Sequence, residues 1–174
     1  MLNVGDKAPD FNLPDQNGNN VSLKSFSGKK VVLWFFTKAS TPGWTTEGQG
    51  FRDEFKNFDK KNVAIVGMSA DSVQRQKNFC EKQRFPFPLL SDQSTDVLKA
   101  YDAWGIKKMY GREYEGIYRI TYVIDEGGKI MNTYSKVSVK THALDILQDL
   151  DWYKLCFMEL SAKMRVKYYT ILLY

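Results

Sequence analysis

The segment Thr37-Lys38-Ala39-Ser40-Thr41-Pro42-Gly43-Trp44-Thr45-Thr46-Glu47 follows a run of apolar, β-forming residues and carries the punctuation of a helix start. Thr41 suits an N-cap and Pro42 the first helical position. A helix N-terminus offers free N–H groups and partial positive charge, a setting that turns a cysteine into a thiolate. Here the first turn holds Trp44, whose indole can neither ionise nor attack. The chain has two cysteines, Cys80 and Cys156. Cys80 lies in a segment with helical spacing, where Lys77 three residues before it and Arg84 four after it would share its face and lower its pKa. Val73 and Phe79 set an apolar face close by, and a half-buried helix cysteine there would be inert. Cys156 sits between Leu155 and Phe157, which favours burial. The one histidine, His142, is expected as a surface or capping residue near the start of the last core helix rather than as a catalytic group. One histidine and two distant cysteines give no zinc-finger type metal site, and no cofactor is expected.

These residues need elements to hold them. Residues 1–29 are turn-rich, with short extended pieces around Phe11–Leu13 and Val21–Leu23 that suggest an N-terminal hairpin. Val31–Phe36 is continuously apolar and predicts a central strand covered on both faces. The spacing of Phe51, Phe55 and Phe58 predicts one helix from Pro42 to about Lys61. Val63–Ser69 reads as a second buried strand, Asp71 or Ser72 to Gln83 as a helix, Leu89-Leu90 as an extended piece and Thr95–Tyr101 as a short helix. Tyr118–Ile124 and Lys129–Ser135 predict an antiparallel hairpin around Asp125-Glu126-Gly127-Gly128, followed by a helix over Thr141–Leu150. Strand–helix–strand units closed by a hairpin predict a thioredoxin-like three-layer α/β sandwich, with an N-terminal β-hairpin and a mixed central sheet flanked by helices.

The composition bounds the rest. With 174 residues, 43% hydrophobic and 26% charged, the chain suits one globular domain of ordinary composition. The net charge of +5 comes without a long Lys/Arg run, which disfavours nucleic acid as a partner. No apolar run spans a membrane, no signal peptide is recognisable, and two cysteines suit a reducing cytoplasm. We divide the chain into a domain over 1–150 and a C-terminal extension over 151–174. In the extension Tyr153, Phe157, Leu160, Met164, Tyr168 and Ile171 recur at helical spacing, and four basic residues face two acidic ones. A helix packed on its own domain, or a poorly ordered tail, is favoured over a partner or membrane-surface contact, and the last seven residues could also be extended.

The stretches Val4–Phe11, Thr41-Pro42-Gly43, Thr45-Thr46-Glu47, Gly50–Asp53, Gly67–Ser72, Phe87–Asp92, Lys107–Gly111 and Gly116–Asp125 together resemble the peroxiredoxins of the bacterioferritin comigratory protein, or PrxQ, type. The likeness runs to about Leu150. It implies a thioredoxin-like fold and thiol-based reduction of hydrogen peroxide or organic hydroperoxides, with thioredoxin or another thiol as reductant, in a monomer or homodimer. A peroxidatic cysteine breaks the O–O bond and becomes a sulfenic acid. Threonine hydrogen-bonds the peroxide, and arginine lowers the thiol pKa and steadies charge on the oxygens. Carried over by position, Thr41 and Arg119 match that site. Thr37 stands for its proline and Trp44 for its cysteine. One place for a second cysteine holds Gln49; the other, in the next helix, holds Cys80.

An indole at that turn either fills the peroxide pocket or swings out as an apolar contact patch. Three readings follow. Cys80 could act as the thiol of a weak, one-cysteine peroxidase. The chain could be a silent scaffold that binds through the Trp44 surface and the extension. Cys80 could also be a plain structural thiol.

Overall fold

In the computed structural model the described residues are 1–39, 41–109 and 111–153. A small hairpin, β1 (Asn12–Pro14) and β2 (Asn20–Ser22), precedes the sheet. The central strand β3 (Lys30–Phe35) pairs in parallel with β4 (Val63–Ser69) and antiparallel with β8 (Thr121–Ile124). β5 (Leu89–Ser91) extends the β4 edge and β9 (Ile130–Tyr134) the β8 edge, giving the order β5-β4-β3-β8-β9.

The unbroken apolar run of β3 is explained by burial on both sides. Val32 and Trp34 join a core with Phe51, Phe79 and Ile146, which come from α1 (Pro42–Asp53), α3 (Val73–Gln83) and a helix, α5, over 142–153. Val31, Leu33 and Phe35 face the opposite way, into a second core with Leu98 of α4 (Asp96–Ala100), Tyr101 and Tyr122. Alternate side chains leave opposite faces of a strand, so a strand covered twice has no polar side to spare. The sandwich is the thioredoxin-like α/β fold that the sequence predicts.

Four departures matter. The single helix expected from Pro42 to Lys61 breaks at Glu54 (φ −90°, ψ 2°), and α2 (Phe55–Lys60) follows as a separate helix. Beyond the break Phe55 lies against Phe87, ring centroids 6.4 Å apart, while Phe58 contacts Phe51 at 6.1 Å. An unexpected hairpin, β6 (Trp104–Met109) with β7 (Arg112–Ile117), occupies a stretch with no predicted element. Most of β7 is exposed, so no apolar alternation marks it. The strand expected from Tyr118 starts only at Thr121, because Tyr118 N–H donates to Ala103 in the approach to β6. α5 continues past Leu150 to the last described residue of that stretch. Cys156 and the helix expected beyond residue 153 lie outside the described residues.

Candidate active site

Helix α1 starts where its residue types predict, with Pro42 in the first turn and Thr41 as N-cap. The Thr41 hydroxyl does not cap that helix. It donates instead to the carbonyl of Lys38 at 2.7 Å. Trp44, Glu47 and Phe51 lie three and four residues apart, on the buried face of α1.

Trp44 is 7% exposed, so its indole is folded into the core and forms no contact patch. The expectation of a Trp44 binding surface is corrected here: the ring packs into the cluster beneath the sheet, where burying its apolar area is favourable. Arg119 covers it, with the guanidinium carbon 3.6 Å from the ring centroid. The same guanidinium donates from Nη1 to Glu47 Oε2 at 2.7 Å. Its Nη2 also passes so close to Gly43 that a Cβ there would lie 3.2 Å away. The cation is therefore held by an indole, a carboxylate and the first turn of α1.

Behind Arg119 lies a buried polar row that the sequence leaves hidden. Glu47 and His142 are each 1% exposed. His142 is not the surface residue expected; its Nε2 lies 3.0 Å from Thr121 Oγ1 and 3.7 Å from Glu47 Oε1, and its ring packs edge-on against Phe51 and Tyr134. Among the described residues, Glu47 Oε1 and His142 Nδ1 have no hydrogen-bond partner. Burial raises the Glu47 pKa to about 7, against the opposing pull of Arg119. Burial also holds His142 neutral by lowering its pKa to about 4; Asp145 opposes this and Arg119 adds to it. The spacing Trp44–Glu47–Phe51 was the available signal, because it sets a carboxylate on an apolar stripe.

Cys80 sits apart, in the core at the end of α3, 8% exposed. Its Sγ donates to the Phe85 carbonyl at 3.3 Å. Its pKa is raised, chiefly by burial, with Glu81 and Asp15 adding to the rise. This corrects the expected lowering by Lys77 and Arg84. Both are exposed, and Arg84 leaves the helix in the left-handed region at φ 56°. Neither cation desolvates with the sulfur, so neither offsets its burial.

Thr37 and Thr41 line an open cleft of about 380 Å³ with Lys38, Asp71, Trp104 and Tyr114. Trp44, Arg119 and Cys80 are not among its lining residues. The structure thus joins Trp44 to Arg119 and Thr37 to Thr41, and leaves Cys80 in neither group.

Residues 4–133 match the model of the AhpC/TSA family. The chain is 41% identical to peroxiredoxin Bcp of Bacillus subtilis over 149 residues, which is 86% of this chain and 95% of that protein. It is 39% identical to peroxiredoxin Bcp of Escherichia coli over 153 residues, covering 88% and 96%. Among solved structures, the Xanthomonas campestris bacterioferritin comigratory protein superposes with a TM-score of 0.78 at 37% identity, covering 82% of this chain and 91% of that one. A cysteine-to-serine mutant of Xylella fastidiosa PrxQ reaches 0.83 at 32% identity, covering 88% and 98%.

Proposed function

This chain belongs to the AhpC/TSA family and, within it, to the Bcp/PrxQ peroxiredoxins, a family of thiol peroxidases; from that premise we propose that its usual reaction centre is closed by Trp44 and that its peroxide chemistry is confined to a slow reaction of Cys80. One observation carries this reading. Arg119, the cation that would meet a peroxide beside Thr41, lies 3.6 Å over the Trp44 ring and is hydrogen-bonded to Glu47. A hydroperoxide entering there would have to displace the indole and break the ion pair.

The remaining step is simple to balance. A Cys80 thiolate attacks one oxygen of a hydroperoxide, the O–O bond breaks, water or an alcohol leaves, and the sulfur becomes a sulfenic acid. Two thiols of a thioredoxin-type reductant then return it to the thiol, form a disulfide and release water. The raised Cys80 pKa keeps the thiolate fraction small, and Arg119 is committed to Glu47 and the Trp44 ring. We expect turnover roughly a hundredfold or more below that of a complete site.

The second reading is a silent scaffold. The donated hydrogen bond from Cys80 Sγ to Phe85 favours it, since a thiol held as a donor is not a nucleophile. Peroxide consumption with a thioredoxin-type reductant separates the two on four proteins: the chain as given, Cys80→Ser, Cys156→Ser and Trp44→Cys. We expect slow turnover that Cys80→Ser abolishes and Cys156→Ser leaves intact. Turnover surviving in Cys80→Ser refutes the assignment. Activity confined to Trp44→Cys identifies a silent scaffold with a restorable centre.

A further inference from the structure

The buried row Arg119–Glu47–His142 has one feature that closure by Trp44 does not require. Stacking and size alone would keep an indole in place. Instead a carboxylate, 1% exposed, reaches from the next turn of α1 to hold the cation that covers the ring. Only one of its oxygens is used. Oε2 takes the Arg119 hydrogen bond, and Oε1 is buried without a partner among the described residues, 3.7 Å from His142 Nε2. A buried carboxylate oxygen with no donor is a costly arrangement, and a proton on Oε1 relieves it.

We propose that Glu47 is a proton-operated latch on the Trp44 plug: as a carboxylate it clamps Arg119 over the indole, and as a carboxylic acid it turns its Oε1 proton towards His142 and loosens Arg119. The latch rests on the reading of Trp44 as a closed plug.

The groups that face this row are few. From the segment before β8 comes Arg119, and from β8 the Thr121 hydroxyl, 3.0 Å from His142 Nε2. From α5 come His142 and, acting on it, Asp145. From β9 comes the Tyr134 ring, 5.2 Å from the imidazole centroid, and from β6 Lys107, whose charge acts with that of Arg119. Among the described residues, Glu47 is the acid in this row that lies against Arg119, and its shifted titration falls near neutrality. His142 is held neutral over the same range, and its Nε2, which meets the Thr121 hydroxyl at 3.0 Å, accepts the Glu47 proton once that hydroxyl rotates away. Arg119 has room to leave, because its side chain is 27% exposed, against 1% for Glu47. Closure is therefore firm on the alkaline side of the Glu47 titration and loose on the acid side.

The test is an NMR titration of the full chain between about pH 5 and 9, following the Trp44 indole Nε1–H resonance, assigned by its absence from Trp44→Phe. The expected result is one titration step near neutral pH that Glu47→Gln removes. No movement of the resonance across that range, or an unchanged step in Glu47→Gln, overturns the proposal. If Glu47→Gln does not fold, the ¹³C carboxyl shift of Glu47 in the unaltered chain decides. It must titrate with the same midpoint as Trp44, and a Glu47 signal that is constant while Trp44 moves is equally fatal. Neither measurement uses peroxide, so the outcome is separate from that of the four-protein assay.

Discussion

The carboxyl of Glu47 and the imidazole of His142 lie 3.7 Å apart, both out of solvent, and burial displaces their titrations in opposite directions. The signs fix how stability responds to pH. Glu47 rises from 4.5 to about 7, so the folded chain holds its proton over that interval, and stability falls as pH rises through it. His142 drops from 6.5 to about 4, so its contribution is complete above 6.5 and is lost as pH falls towards 4. In the shared window the two slopes cancel. Denaturant unfolding at a series of pH values should therefore be nearly flat there for the unaltered chain. His142→Asn should lose on the order of 3 kcal/mol as pH rises across the Glu47 interval, and Glu47→Gln a similar amount as pH falls across the His142 interval. Slopes of the same sign in both variants would contradict this pairing.

Arg119 supports Glu47 electrostatically and Trp44 by stacking, so removing it disturbs both. Arg119→Ala should destabilise the fold by about 3 kcal/mol at alkaline pH, where Glu47 is left as a buried, unpaired carboxylate. The loss should shrink on the acid side, because Glu47 can then carry a proton and keeps only the missing stack, about 1 kcal/mol. A loss independent of pH would show that Glu47 is not charged in the folded chain.

Much of the scaffold could be read from residue types. The continuous apolar run from Val31, with turn residues on both sides, announced a strand buried on two faces, and Thr41-Pro42 announced where α1 begins. The β6–β7 hairpin escaped because Lys107, Lys108, Glu113 and Glu115 give it no apolar face. The break at Glu54 escaped because Phe51, Phe55 and Phe58 fit one straight helix equally well, and only the Phe87 ring draws Phe55 aside. The site was legible in part. Trp44 was visible as a residue that cannot perform the thiol's chemistry, but its burial is a tertiary fact. Glu47 and His142 escaped for the same reason, since a charged type on an apolar stripe looks like a boundary residue until its partner arrives from 72 residues away.

Cys80 gives a second check on the interior. Its sulfur is a buried donor with a raised pKa, so reaction with a thiol alkylator should be at least about tenfold slower than for a free cysteine at neutral pH. In a Cys156→Ser background, intact mass after timed iodoacetamide exposure reads Cys80 alone. The rate should rise with sub-denaturing urea, because reaction requires the last turn of α3 to open. Labelling as fast as a free thiol in the native fold would mean that Cys80 is a surface group.

Two glycines in α1 should respond oppositely to the same change. A Cβ on Gly48 would stand 2.7 Å from Phe85 Cζ and 3.2 Å from Trp34 Cη2. Phe85 has no room to give way, since its ring is stacked on Phe87 at 5.1 Å and edge-on to Phe79 at 5.1 Å. Gly48→Ala should therefore destabilise the fold by about 1–3 kcal/mol. The disturbed Phe85 also holds the Cys80 hydrogen bond, so alkylation of Cys80 should speed up in the same variant. At Gly50 the nearest neighbour of a new Cβ is Ala143 Cβ at 3.8 Å, an ordinary contact. Gly50→Ala should gain about 0.5–1 kcal/mol from helix propensity alone and leave Cys80 labelling unchanged. If both substitutions moved stability in the same direction, the close packing of α1 onto the Trp34–Phe85 layer would be wrong, and with it the depth at which Trp44 and Glu47 are set.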